Sequence, residues 1–376
     1  MAVKRICGGC DKVLNVIPGK MFDLTCQTCG SQDGYFEGDR FRQFECSKCL
    51  GRFTFPPNKK STLRCPSCNS KILTYIGPSS VLIVDKKKQI ENDSKRIDFW
   101  RARGMGDILM TTPLVREIKK AYPDYYLAYY CDANLMPILE NNPFIDYVFP
   151  INYISPEPPF MSYDLTGKVE DYRTEDGINK KNRLVRFFDL CGMEIRGVGL
   201  RPLYFPTKDE LSWAGQSLEK GYVALVTSSF APQRSFNEER LSELANILIA
   251  NGYKVILLGQ RFIRGVSDKV INLANKTSIR EFAALISRCA VVVCGDTSAY
   301  HIAESLEVPS IVTFGTIPPY ARVSTYKFCK PLFGQSRCAP CWDLQYMALD
   351  CHRPNPDCLK AITDDQILEA LKEVIR

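Results

Sequence analysis

The chain has 376 residues, of which 45% are hydrophobic and 24% are charged, a composition typical of a soluble globular protein. No run approaches the ~18 apolar residues that cross a bilayer, and no apolar signal core opens the chain, so we expect a cytoplasmic protein without a transmembrane segment. The net charge of +7 is concentrated in residues 1–96, which carry 17 Lys and Arg against 9 Asp and Glu. This excess is compatible with nucleic-acid binding but does not demand it.

Eight of the 17 cysteines form two sets with the same spacing, C-x2-C-x15-C-x2-C. The sets are Cys7, Cys10, Cys26 and Cys29, then Cys46, Cys49, Cys65 and Cys68. Each cysteine of the second set lies 39 residues after its counterpart, which indicates a tandem duplication. Two knuckles supply four thiolates to a tetrahedral Zn²⁺, and a unit this small needs the metal in order to fold. The spacing predicts two structural zinc ribbons, at 1–38 and 39–78, with an iron centre or unligated thiols as alternatives.

The ribbons have three possible roles: nucleic-acid contact, structural support and protein docking. Their aromatic residues lie among basic ones, a mixture that can stack bases and pair with phosphates. The alternatives are structural support or protein docking, with the aromatic side chains filling the small ribbon cores. The charge-rich segment 79–96 is typical of a linker.

From residue 97 onward, strands and helices alternate, which predicts parallel sheets with right-handed crossovers. The first set comprises strands at 97–103, 125–131 and 147–151 and helices at 108–121 and 135–140. Gly104 and Gly106 form a tight turn that lets the backbone approach a ligand, although the third glycine of a dinucleotide fingerprint is missing. Asp107 begins the first helix at the carboxyl edge of the first strand, where such sheets bind ligands. Its alternative role is to cap that helix.

A second set of elements follows the passage at 192–206. Strands are predicted at 222–229, 254–259, 270–273, 290–294 and 309–314, with helices beginning near 236, 278, 298 and 363. Ser278 with Glu281 forms a capping box, and Thr363 is a further cap candidate. The turn from Gly295 to Ser298 joins a strand to a helix start, where free N–H groups can hold a phosphate. An ordinary helix cap is the alternative there.

The segment from Arg103 to Leu114 resembles the opening motif of glycosyltransferase family 9, the ADP-heptose:lipopolysaccharide heptosyltransferases. The resemblance covers about 97–376. It implies a GT-B fold, with two Rossmann-like domains facing a cleft. In the chain, the two small four-cysteine zinc ribbons would precede these domains. The N-terminal, acceptor-side domain would span 97–205 and the nucleotide-sugar-binding domain 206–362, followed by a C-terminal helix at 363–376. In that family the aspartate of the G-D motif is the proposed general base, so the resemblance implies this role for Asp107.

Two further motifs carry the resemblance. The run from Asp296 to His301 resembles the family's D-[ST]-G-P-x-H-L-A motif, with Ser298 in place of glycine and Ala299 in place of proline. The run from Arg234 resembles K-x-W-P, with arginine in place of the phosphate-contacting lysine. The implied donor-binding residues are Arg234, Asp296, Thr297, Ser298, Ala299 and His301. Read without the family, Arg234 is a surface charge and His301 a helix residue packing near the turn.

A third cysteine cluster lies near the C-terminus: Cys338, Cys341, Cys351 and Cys358. One knuckle with two single cysteines can close a structural zinc site, with Cys329 or His352 as substitute ligands. Reduced, unligated cysteines are the alternative.

The resemblance implies an inverting glycosyltransferase that uses a nucleotide-diphospho-sugar, with Asp107 accepting the proton of the acceptor hydroxyl. The chain lacks the D-x-D sequence that clamps a divalent metal in other glycosyltransferases, so we expect no catalytic metal. Lipopolysaccharide or another cell-surface glycan is the family's usual acceptor, whereas the basic ribbons favour a nucleic-acid acceptor, such as a hydroxylated base in modified DNA. Two other classes stay open: a non-catalytic nucleic-acid-binding or scaffold protein on a degenerate transferase fold, and a nucleotide-sugar epimerase.

Overall fold

The computed structural model describes residues 95–375 apart from 154–157, 170–180, 196–199, 230–233 and 342–356. It also describes two short strands within 170–180 and the backbone of six strands before residue 83. The chain divides into two compact units, Met1–Asn92 and Asp93–Arg376. Among the helices of the described residues, none is both long enough and apolar enough to cross a membrane.

The first unit contains two antiparallel three-stranded sheets, built in the same way. The first has the order β2-β1-β3 and the second β5-β4-β6. The strands are β1 (Val3–Cys7), β2 (Val13–Val16), β3 (Gly34–Phe36), β4 (Arg40–Cys46), β5 (Arg52–Phe55) and β6 (Leu73–Leu82).

The register of the two sheets is the same after a shift of 39 residues. Cys7 lies opposite Gly34 in the first sheet and Cys46 opposite Leu73 in the second, a difference of 39 on each side. The pairings of β1 with β2 recur between β4 and β5 with the same shift. The tandem duplication predicted from the cysteine spacing is therefore confirmed at the level of the backbone. The first cysteine of each set ends the central strand of its sheet.

The first lobe of the second unit is a four-stranded parallel sheet with the order β10-β7-β8-β9. Its elements are β7 (Arg96–Trp100), α1 (Met105–Ala121), β8 (Tyr126–Cys131), a 3-10 helix (Ala133–Leu139), β9 (Tyr147–Pro150), β10 (Met161–Asp164), the two-stranded β11 (Arg173–Thr174) and β12 (Gly177–Ile178), and α2 (Arg183–Leu190). Ile97 and Phe99 alternate along β7 and join the core that also contains Leu109, Leu114 and Ile118 of α1. This packing follows from the period of two in the strand and the period of 3.6 in the helix.

The second lobe is a six-stranded parallel sheet with the order β15-β14-β13-β16-β17-β18. Its elements are α3 (Lys208–Ser217), β13 (Tyr222–Val226), α4 (Glu238–Ala250), β14 (Lys254–Leu258), β15 (Ile271–Asn272), α5 (Ile279–Ile286), β16 (Cys289–Gly295), α6 (Ser298–Ser305), β17 (Ser310–Phe314), α7 (Tyr320–Val323), β18 (Cys329–Phe333), α8 (Asp357–Lys360) and α9 (Asp364–Val374). The capping box of Ser278 and Glu281 and the cap at Thr363 are both confirmed. α9 packs into the core of this lobe through Ile367 and Leu371 rather than standing apart.

Each sheet has one point at which the order of strands along the chain reverses. In the first lobe this point lies between β7 and β10, and in the second it lies between β13 and β16. Open α/β sheets bind ligands at the carboxyl ends of the strands beside this switch point. The topology therefore directs attention to the residues that follow β7 and β10 in one lobe and β13 and β16 in the other.

Candidate functional site

The turn after β7 places Asp107 in the first turn of α1. Gly104 occupies the N-cap position with φ of 79° and offers no side-chain cap. A Cβ atom there would lie 2.8 Å from Oδ2 of Asp107, so the position requires glycine both for its backbone and for this approach. Asp107 is thus a residue of the helix rather than its cap.

Two buried arginines hold the carboxylate of Asp107, one on each oxygen. Nη2 of Arg101 donates to Oδ2 at 2.7 Å, and Nη1 of Arg183 donates to Oδ1. Burial alone would raise the pKa of Asp107, but the attraction of Arg183, Arg101 and Arg322, in that order of strength, holds that pKa well below its ordinary value. Asp107 is therefore a carboxylate at any physiological pH.

The turn after β16 brings Arg234 beside Asp296. A Cβ atom on Gly295 would lie 1.7 Å from the carbonyl oxygen of Arg234, so the two backbones touch. The N–H of Asp296 donates to that same carbonyl at 3.1 Å. The loop that carries Arg234 is therefore fixed against the turn that begins α6.

The start of α6 is capped by Thr297, whose hydroxyl accepts the N–H of Ala299 at 3.2 Å. Thr297 and Ser298 are half-buried, whereas Ala299 is buried. The cap interpretation of this turn is therefore correct for Thr297. It does not conflict with phosphate binding, because the positive end of the helix dipole remains at Ser298.

Asp296 lies beneath this helix start and is almost fully buried. Its Oδ1 accepts the hydroxyl of Tyr300 at 2.9 Å, and the guanidinium groups of Arg234 and Arg322 lie 3.6 and 3.7 Å from its oxygens. Burial would raise the pKa of Asp296, but Arg322 and Arg234 outweigh it and lower that pKa. Asp296 therefore organises the turn as a buried anion.

His301 joins the two lobes. A Cβ atom on Gly106 of α1 would lie 2.7 Å from Cδ2 of His301 and 3.7 Å from the Cα of Ser298. The start of α1 and the start of α6 are therefore in contact, and we call this place the lobe boundary. Nδ1 of His301 forms a hydrogen bond with the hydroxyl of Tyr326, and burial lowers the pKa of His301 to about 3. The imidazole is neutral at physiological pH.

The structure thus brings together the residues that the sequence motifs indicated in the two lobes: Gly104, Gly106 and Asp107 on one side, and Arg234, Asp296, Thr297, Ser298, Ala299 and His301 on the other. Sequence reasoning missed the residues Arg101, Arg183, Arg322 and Tyr326. Arg101 directly follows β7 at the ligand-binding edge, which was an available signal. Arg183 is 76 residues from Asp107, and no local pattern connects the two.

The described residues do not bring the predicted metal ligands together into a site. Cys338 is exposed, Cys341 is half-buried and Cys358 is buried, with its Sγ against Gly315. Cys351, His352 and six of the eight N-terminal cysteines lie outside the described residues, and of the side chains of Cys7 and Cys46 nothing is described. Within the described parts of the chain, no group of three or more candidate ligands occurs. The zinc sites therefore stay predictions.

Two parallel α/β sheets whose switch points meet at one lobe boundary define a two-lobed protein of the GT-B type. Within it, residues 204–343 match the model of glycosyltransferase family 9 (heptosyltransferase). The chain is 30% identical over 104 residues to "Lipooligosaccharide heptosyltransferase 2" of Haemophilus influenzae, a match over 24% of this chain and 30% of that protein. The chain therefore spans about a third of the length of this curated relative.

The likeness to solved structures covers more of the chain. The heptosyltransferase II of Escherichia coli, described as an ADP-heptose lps heptosyltransferase, superposes with a TM-score of 0.56 at 16% identity, over 74% of this chain and 98% of that one. The iron-containing dodecameric glycosyltransferase TibC of enterotoxigenic E. coli superposes with a TM-score of 0.58 at 14% identity, over 91% and 92%. These superpositions establish the fold. At identities this low, the activity has to be argued from the site.

Proposed function

We propose that this chain is an inverting glycosyltransferase that moves a sugar from a nucleoside-diphosphate donor to a hydroxyl of lipopolysaccharide or a related cell-surface glycan. The observation that carries the proposal is the lobe boundary. There Gly106, the residue before Asp107, closely approaches His301 and Ser298 of α6. A base and an anion-binding helix start at one place are what such a transfer requires.

The donor side is supported by charge and by the comparisons. The start of α6 and Arg234 suit a diphosphate, because both favour anions and arginine can pair bidentately with phosphate. The match to the heptosyltransferase model includes Arg234 and α6, and a solved neighbour of the same fold is named an ADP-heptose lps heptosyltransferase. An ADP-linked heptose is therefore the first donor to try.

For the acceptor, the names of the relatives favour lipopolysaccharide over nucleic acid. The basic, duplicated first unit was the reason to expect a modified-DNA acceptor. For that reason the experiment includes DNA as a second acceptor.

In the proposed reaction, the acceptor oxygen forms a bond to the anomeric carbon as the bond from that carbon to the β-phosphate oxygen breaks. The electron pair leaves with the nucleoside diphosphate, and the hydroxyl proton passes to a carboxylate oxygen of Asp107. Arg234 and the start of α6 stabilise the charge that develops on the leaving phosphate. Inversion follows from a single displacement.

The test incubates the full chain with ADP-heptose and with other nucleotide sugars, and with either lipopolysaccharide core or hydroxymethylated DNA. Mass spectrometry should show one added sugar on the lipopolysaccharide core, and Asp107→Asn should abolish it. Transfer to DNA alone would overturn the acceptor assignment. Donor isomerisation without an acceptor would identify an epimerase, and nucleotide binding without turnover would identify a degenerate fold.

Metal independence and structural zinc belong to the proposal and are tested separately. Adding or omitting Mg²⁺ or Mn²⁺ should leave the initial rate unchanged, since phosphate is held by the helix start and Arg234 rather than by a clamped cation. Elemental analysis of the purified chain should find two zinc ions per molecule, or three if the C-terminal cysteines also bind one. Iron in place of zinc would correct the metal without affecting the proposed reaction.

A further inference from the structure

We propose that Arg101 and Arg183 are positioning residues that together keep Asp107 ionised and fix the direction in which its carboxylate faces the acceptor. This inference rests on the proposed function, because it assigns how the proton acceptor of that reaction is prepared.

Two arginines hold Asp107 independently of each other, and we call this pair, Arg101 and Arg183, the clamp. Arg101 and Arg183 are each buried and each bind a different oxygen of Asp107. Each arginine is anchored in turn by a backbone carbonyl: Arg101 donates to the carbonyl of Leu165 at 3.0 Å, and Arg183 to that of Val169 at 3.2 Å. The carboxylate therefore has little freedom to rotate, because both of its oxygens are held by groups that are themselves fixed.

The clamp is tied to the second lobe through the start of α2. Asn182 caps α2 by accepting the N–H of Leu184, and its Nδ2 donates to the hydroxyl of Ser324 at 3.1 Å, just beyond α7. Arg183 is the next residue. The position of Arg183 thus depends on contact between the lobes. Asp107 is therefore held from both sides of the lobe boundary.

The other ionisable groups that face Asp107 do not replace the clamp. Those whose charge acts on it, or that respond to its charge, are Arg322, His301, Tyr129 and Tyr326. Burial keeps His301 neutral and raises the pKa values of both tyrosines, so Arg322 is the one further cation in this group of described residues. Arg322 forms an ion pair with Asp296 at 3.7 Å.

A clamped carboxylate is a weak base, and this has a kinetic consequence. Because its pKa lies far below its ordinary value, Asp107 accepts a proton only when the acceptor hydroxyl has lost much of its own, late in the displacement. In return, the carboxylate stays ionised, and so can accept a proton, over the whole physiological pH range. The rate of transfer should therefore show no acid limb attributable to Asp107 above pH ~4.5.

The experiment measures turnover from pH 4.5 to 8 at saturating donor and acceptor. In the double variant Arg101→Gln with Arg183→Gln we expect an acid limb, with turnover at pH 4.5 falling roughly threefold or more relative to pH 8. Burial then acts on Asp107 without either bonded cation, and burial raises a carboxyl pKa above its ordinary ~3.9 by about one unit or more. Arg101→Lys with Arg183→Lys keeps both charges and should restore a flat profile. The matched control is Arg186→Gln, which removes an arginine from the same helix that donates to the same carbonyl of Val169. It should leave the profile flat.

The outcomes are distinct. A uniform loss of turnover at every pH in the double variant, without an acid limb, would show that the two arginines serve the fold alone and would overturn the inference. An acid limb above pH 5 in the unmodified protein would overturn it too, and that measurement needs no variant to fold. Absence of any sugar transfer by the unmodified protein would instead count against the proposed function.

Discussion

The two lobes place an aspartate at corresponding points, but they use it differently. Asp107 and Asp296 both follow a strand beside a switch point, and each has two arginines as ion-pair partners. The side chain of Asp107 is 17% exposed and is bonded on both oxygens at hydrogen-bond distance. That of Asp296 is 7% exposed, with its arginines at 3.6 and 3.7 Å and its firmest bond to the hydroxyl of Tyr300.

The difference separates the carboxylate that we propose to react from one that supports the turn. Asp107 remains open to solvent on part of its surface, so an acceptor hydroxyl can reach it. Asp296 lies under the start of α6, and its backbone N–H and carboxylate hold the loop of Arg234 and the helix in place. The comparison leads to four predictions, of which the first has the largest expected effect.

Asp107→Asn should lower turnover about 10²- to 10⁴-fold, because the amide cannot accept the proton of the acceptor hydroxyl. Binding of ADP, measured by calorimetry, should change little. Asp296→Asn should instead weaken ADP binding, because the turn beneath the phosphate site loses its anion. Equal loss of ADP affinity in both variants would erase the distinction between the two aspartates.

Both variants leave buried arginines with a weaker partner, which costs stability. Thermal unfolding of each variant must therefore show a cooperative transition before the kinetics are compared. Asp189→Asn, which removes an exposed ion pair to Lys181, is a control for a lost surface charge and should keep full activity.

Much of the fold could be predicted from periodicity and caps. The second lobe contains long apolar runs, such as Val291–Val293, which are typical of strands buried on both faces, and its helices begin at ordinary capping residues. The start of α1 was harder to predict. The apolar pattern begins at Ile108, whereas the helix begins at Met105, because Gly104 and Gly106 carry no side chain that signals a helix.

Some residues of the candidate site could likewise be predicted from the sequence and others could not. Glycines and aspartates after strands signal a ligand edge within one stretch of chain, so Asp107 and Asp296 could be found. Arg183 and Arg322 reach them from α2 and α7, and only the folded arrangement of the lobes brings them there. Neither β10 nor α2 was predicted, and the first-lobe switch point depends on β10.

A second prediction compares the two glycines at the site. Gly295→Ala should destabilise the protein by about 2–4 kcal/mol, because the new Cβ atom would meet backbone, 1.7 Å from the carbonyl of Arg234. Gly106→Ala should cost less, about 1 kcal/mol, since the nearest atom it meets belongs to the side chain of His301 and not to backbone. Chemical denaturation measures both. A larger cost at Gly106 would mean that the lobe boundary is more rigid than the turn.

A third prediction concerns Arg234. Arg234→Gln should raise the dissociation constant of ADP roughly tenfold, as expected for the loss of one charge-assisted contact. Turnover at saturating donor should fall less than in Asp107→Asn. Arg264→Gln, in the same lobe, should leave the affinity unchanged. Unchanged affinity in Arg234→Gln as well would place the phosphate elsewhere and remove one support of the proposed donor site.

A fourth prediction concerns the pH dependence of stability that His301 introduces. Its pKa is lowered from 6.5 to about 3 by burial, so below pH 6.5 the unfolded chain binds a proton that the folded chain refuses. Stability is thus complete above pH 6.5 and is lost as the pH falls, by about 1.4 kcal/mol per unit. Between pH 6.5 and 5 the free energy of unfolding should drop by about 1.5–2 kcal/mol more in the unmodified protein than in His301→Gln. The carboxylates Asp107 and Asp296 lose stabilisation only near and below pH ~4, so they do not contribute in this window.

Identical slopes in the two proteins would show that His301 takes up its proton in the folded state. In that case the contact between Gly106 and His301 would not exclude water, and the lobe boundary would be open there.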